Sequence, residues 1–155
     1  MDAAKTLLRN WVLAQAGDQA GWVENALAEL AEGGPERALH IFLGLAPRKL
    51  GKTDLALTDT DKTDADAALS GWRPEGWSID GAARVLGLLT YKADRQFADV
   101  FKDLRRTSDL AETIALYRGL PLHPAPESLH FEVGEGLRSN LKPVFEAIAH
   151  HNPYP

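Results

Sequence analysis

Cysteine is absent from the 155 residues, and with it go disulfide frameworks, thiolate zinc sites, iron–sulfur ligation and cysteine nucleophiles. An excess of basic charge is missing too: 17 Lys and Arg stand against 22 Asp and Glu, for a net charge of -5. Binding to phosphate backbones usually shows the opposite balance, so nucleic acid is not an expected partner. No apolar run approaches the roughly 18 uninterrupted residues of a membrane span. The N-terminus, Met1-Asp2-Ala3-Ala4-Lys5, sets acid before base, with no apolar run and cleavage site behind it. The expected location is the cytoplasm, with no transmembrane segment. Serine nucleophiles also lack their setting, since Ser108, Ser128 and Ser139 lie in no Gly-x-Ser-x-Gly elbow, and no phosphate-cradling glycine loop is present. No catalytic motif is recognisable, which weighs against an enzyme, and no cofactor is implied.

What is present is helical period. A chain of this length suits a single domain, 1–155, with a core that needs no metal or disulfide staple. Leu7, Leu8, Trp11 and Val12 fall on one stripe of a helix over 3–16 that Gly17 stops. Asp18 is a candidate N-cap for a second helix carrying Trp22, Val23, Ala26, Leu27 and Leu30 up to Gly33-Gly34. Pro35 suits a first helical position, and Ala38, Leu39, Ile41, Phe42 and Leu45 make a third helix expected to end at Pro47. His40 reads there as a partly buried packing residue.

Ser78 caps a fourth helix whose wide stripe, Ile79, Ala82, Ala83, Val85, Leu86, Leu88 and Leu89, predicts a central, well-buried position. Gly81 and Gly87 lower its propensity and invite close helix contact. A fifth helix turns Phe97, Val100, Phe101 and Leu104 inward and Lys102, Asp103 and Arg105 outward. Asp109 with Glu112 reads as a capping box for a sixth, which carries Ile114 and Tyr117. Two more follow, over 127–137 and 140–149, with Asn140 or a near neighbour as cap and Pro143 in the first turn. The fold class is therefore all-α, about eight helices, as antiparallel pairs or an irregular bundle.

One long polar loop, 48–77, interrupts this pattern. It either holds a short helix near 65–69 or moves freely, and Trp72 and Trp77, around Pro74 and Gly76, pin its end to the core. Asp59-x-Asp61 superficially opens a calcium loop. The match fails, because Asp64 stands where glycine is needed and Ser70 where the twelfth-position carboxylate is needed. Of the four tryptophans, Trp72 and Trp77 are the expected surface anchors.

The last quarter is the most informative, because polar groups alternate there with apolar ones at helical spacing. Tyr117-Arg118-Gly119-Leu120-Pro121-Leu122, Glu135-Gly136-Leu137-Arg138-Ser139-Asn140, Val144-Phe145-Glu146-Ala147-Ile148-Ala149 and Asn152-Pro153-Tyr154-Pro155 resemble the signature of the EboA domain family. Residues 46–52, Ala83-Arg84-Val85-Leu86 and Asp109-Leu110 are similar to its earlier pattern, so the likeness covers about two thirds of the chain. Ser139 stands where the family usually has threonine, and the chain stops at Pro155 where relatives run on, so a tail of the family is expected to be lacking. The resemblance implies an accessory protein in bacterial secondary metabolism. The family is encoded beside a UbiA-type prenyltransferase and is linked to making or exporting small metabolites such as the scytonemin precursor.

Candidate chemistry gathers in the same region. Glu135 and Arg138 lie three apart on one helical face, and Asn140 caps or lines the next helix. The plainer reading is a salt bridge and a cap that fix an interhelical angle. The functional one is a polar groove, lined by Tyr117, Arg118, Glu135, Arg138, Asn140 and Asn152, in which an arginine fork meets a carboxylate or phosphate. Tyr117 equally suits a core ring with its hydroxyl at the surface. No metal is expected; the alternative set is His123, Glu146 and His150, with His130 and His151 nearby. Against it, histidines just past a helix end commonly meet solvent or the helix dipole. The expected function is metabolite transport or biosynthesis support through binding a small molecule or a pathway protein. The alternatives are a metal-assisted enzyme of that pathway and a helical adaptor that docks another protein.

Overall fold

The computed structural model describes residues 2–93, 97–107, 110–118 and 122. Among them the fold is all-α, with no strand: α1 Asp2–Ala16, α2 Ala20–Glu32, α3 Glu36–Leu50, α4 Asp59–Ala68, α5 Ile79–Thr90, α6 Phe97–Thr107 and α7 Leu110–Arg118. The helices expected over 127–137 and 140–149, and the Asp109–Glu112 capping box, lie outside the described residues. A 3-10 turn, Gly17–Gln19, joins α1 to α2. Gly17 takes a φ of 58° that ends α1. Asp18 is not the cap of α2; it falls in that 3-10 turn, and Gln19 at the N-cap makes no side-chain bond.

Helix α5 lies at the centre, touching α1, α2, α3 and α7. Nine consecutive-to-near positions from Ile79 to Leu88 are buried, which is the all-round burial expected of a helix enclosed by others. Its start is fixed by Ser78, whose Oγ accepts the Gly81 N–H at 3.2 Å. Gly87 has the use its sequence invited: a Cβ there would meet Phe42 Cε2 at 2.5 Å, so the missing side chain is the space into which the α3 ring packs. Phe42 in turn stacks on Trp22 of α2, centroids 5.2 Å apart at 15°. Three helices are thus tied through one glycine and two rings.

Helix α3 does not end at Pro47 but continues to Leu50. Proline removes the N–H that would bond the carbonyl four residues back, here Leu43. Arg84 Nε, reaching over from α5, donates to that carbonyl at 3.0 Å, so the helix runs on with no orphaned acceptor. It stops at Gly51, φ 81°, with Arg48 and Lys49 in its last turn, where positive charge suits the helix dipole. His40, expected to be partly buried, is exposed on this helix. The stripe of α3 is wider than its buried face, and Ile41 is left 50 % exposed.

The polar run after α3 is neither calcium loop nor free coil. Thr58 and Asp61 form a reciprocal capping box that starts α4: Asp61 Oδ2 accepts the Thr58 N–H at 2.9 Å and Thr58 Oγ1 accepts the Asp61 N–H at 3.1 Å. That helix is longer and earlier than the short one expected near 65–69, because Thr58 caps it and aspartates that look like solvated loop make its first turn. An isolated bridge, Asp54 with Ser78, pins the preceding segment beside the start of α5 through the Leu55 N–H to the Trp77 carbonyl and the Ile79 N–H to the Thr53 carbonyl, both 2.8 Å. Trp72 lies between Trp11 and Trp77, with centroids at 5.5 and 5.9 Å. All three are buried, so Trp72 and Trp77 are core rather than surface anchors, and Trp22 is the partly exposed one.

On α6, Val100, Phe101 and Leu104 face inward as expected, and Lys102 and Asp103 are half-buried. The side chains of Phe97 and Arg105 lie outside the described residues. Phe101 meets Tyr117 of α7 edge-on, 5.5 Å between centroids.

Candidate functional site

Burying a charge is expensive unless it is paired and hydrogen-bonded, and the central helix buries two. Asp80 and Arg84 stand one turn apart on α5, each side chain only 4 % exposed, with Nη1 to Oδ2 at 3.7 Å. That separation is an ion pair without a hydrogen bond. Arg84 spends its Nε on the Leu43 carbonyl, whereas its Nη1 and Asp80 Oδ1 find no hydrogen-bond partner among the described residues. The pair was not singled out from sequence, though the signal was there. Two opposite charges four apart, in a segment whose other residues are nearly all apolar, mark an ion pair carried into a core.

A cavity of about 160 Å³ opens beside this pair, between α5 and α7. Asp80, Gly81 and Arg84 line it from α5, Ser78 and Trp77 from the residues just before, and Arg118 from the last turn of α7. Arg118 is half-buried. Burial pulls its guanidinium below the ordinary arginine value, and the nearby Asp54 carboxylate opposes that shift. Arginine starts high enough to keep its proton at neutral pH. The result is a cation stripped of part of its water, whose one hydrogen bond among the described residues, Nη1 to the Gly76 carbonyl, is long at 3.5 Å. Among the described residues, most of its five N–H donors have no acceptor, which suits them to one entering the cavity. Chemically the site offers a planar arginine fork to a carboxylate, phosphate or carbonyl oxygen, with an aspartate nearby for a ligand N–H or O–H.

Of the residues proposed from sequence, Arg118 alone is placed at this cavity among those described. Tyr117, its neighbour, is not among the residues lining the cavity: its ring is buried against Phe101. Glu135, Arg138, Asn140 and Asn152 lie outside the described residues, as do His123, His130, Glu146, His150 and His151. Among the described residues no group of three His, Asp or Glu side chains is arranged to hold a metal ion. None of the described helices is long and apolar enough to cross a membrane.

No curated protein and no solved structure matches the chain. A family model does: residues 4–155, essentially the whole sequence, match the family described as metabolite traffic protein EboA, and the chain belongs to that family.

Proposed function

We propose that this protein is a non-catalytic accessory component of a bacterial secondary-metabolite pathway, working in the cytoplasm by binding a small molecule in the cavity between α5 and α7. The family's description as a metabolite traffic protein supports the general role. The observation that carries the site is Arg118, a partly desolvated cation with donors unmatched among the described residues, on the wall of a cavity that also touches a buried Asp80–Arg84 pair. An oxygen acceptor on the ligand would complete the guanidinium's hydrogen bonding; such charge-assisted bonds contribute about 1.5–3 kcal/mol. Glu135, Arg138, Asn140 and Asn152 are proposed as further contacts of the same ligand.

The test is native mass spectrometry of the intact chain purified from its own host without chelators, beside Arg118→Ala and Arg138→Ala. A bound organic mass in the wild type that both variants lose, at nearly unchanged melting temperature, supports the assignment. Loss with Arg138→Ala alone moves the site away from Arg118. A stoichiometric metal instead of an organic mass favours the enzymatic alternative, and an empty wild-type protein favours the adaptor.

A further inference from the structure

A second concavity lies between α2 and α3 and shares none of the residues of the first. Its volume is about 370 Å³, within the range of small-molecule sites, which are typically apolar with a few polar groups at the edge. Trp22 and Phe42 line it as a stacked pair. Ala26, Ala38 and Ile41 add apolar wall, and Glu29 and Arg37 supply one charge of each sign. We propose that this groove binds a small, planar, uncharged aromatic molecule, whose ring lies against the Trp22–Phe42 stack.

Three observations choose that occupant. The two rings are nearly parallel, 15° apart, so a third flat ring extends an existing stack; aromatic pairs add about 0.5–1.5 kcal/mol beyond the area they bury. Glu29 and Arg37 cancel, so the groove gives no net attraction to an anion, in contrast to the cavity at Arg118. The apolar surface among the described residues is also small for a protein partner. Ile41 is the one large hydrophobic residue exposed among those described, whereas stable protein interfaces need a patch of several hundred Å². The floor is rigid as well, because Phe42 is held from behind by the space at Gly87.

The experiment is a fluorescence titration of the intact chain with N-phenyl-1-naphthylamine, a neutral aromatic dye that is dark in water and bright in apolar surroundings. A saturable rise with one site per chain is expected. Ile41→Glu places a charge on the wall at an exposed position, and Ala38→Trp fills the groove. Each should weaken dye binding by about tenfold or more, whereas Ile41→Leu retains it and Arg118→Ala leaves it unchanged. A wild-type protein that gives no rise overturns the proposal, whether the groove is covered or rejects rings. A rise that survives both Ile41→Glu and Ala38→Trp overturns the placement. Sedimentation showing a dimer that Ile41→Glu dissociates would assign the groove to a second copy of the chain instead.

Discussion

At Pro47 a helix loses one backbone hydrogen bond and keeps its course, because Arg84 of a different helix donates to the vacated Leu43 carbonyl at 3.0 Å. The same arginine is the partner of a buried Asp80, so one side chain answers two polar groups that would otherwise be stranded. Arg84→Met should therefore destabilise the fold by about 3–5 kcal/mol, mostly by leaving Asp80 buried and unpaired. Adding Pro47→Ala to that variant restores an N–H to Leu43 and should recover about 1 kcal/mol, more than Pro47→Ala contributes in the wild type. Urea denaturation of the four proteins measures the coupling; strict additivity would sever the link between Pro47 and Arg84. Asp61 gives a second residue-scale prediction. Its carboxyl is held below the usual carboxylate range, first by the Thr58 backbone N–H; burial opposes that, and hydrogen bonds with the Thr58 and Trp11 side chains add to the lowering. A depressed folded value means that the stabilisation is present above the unfolded pKa of about 3.9 and is lost as pH falls through the folded value. Melting temperature measured from pH 6 downward should thus fall less steeply in Asp61→Asn than in the wild type, starting from a lower plateau at pH 6.

Among the elements, α5 shows how much packing was written in the sequence. Its wide apolar stripe and Ser78 cap placed it centrally, and the missing side chain at Gly87 foretold a close approach without naming Phe42 as the partner. Gly87→Ala should destabilise by about 1–3 kcal/mol, since a methyl group would collide with a ring that cannot retreat through Trp22; thermal denaturation measures it, and a change within ±0.5 kcal/mol would show that Phe42 has room to move. Helix ends were less legible. Asp18 and Thr58 are both plausible caps, yet only Thr58 caps, because only it has a partner three residues on that reaches back. Pro47 misled for a different reason: what keeps the helix going there is tertiary, a donor 41 residues on from the Leu43 carbonyl it serves. The tryptophans misled for the same reason. Trp72 and Trp77 look peripheral beside Pro74 and Gly76, but a cluster with Trp11 buries them, and spacing within one segment carries no trace of a ring arriving from another. Arg118 could be picked out as a polar residue near the end of a helix; the cavity beside it could not, because its other wall comes from α5.

Over the whole molecule, one central helix serves two cavities of different character. One face of α5 carries the ion pair and the polar cavity that Arg118 closes. Gly87, seven residues after Asp80 and so on that same face, sets the ring behind the apolar groove of α2 and α3. On the two proposals above, cargo would be held by polar recognition in one cavity and by ring stacking in the other, and because the two share no lining residue, single substitutions should separate them. Whether the polar cavity holds cargo is decided by a crystal structure of the host-purified protein with its bound molecule. Density for an organic molecule is expected between α5 and α7, with an oxygen within hydrogen-bond distance of the Arg118 guanidinium. A molecule bound elsewhere, with the cavity closed by the chain's own side chains around Arg118, would contradict it.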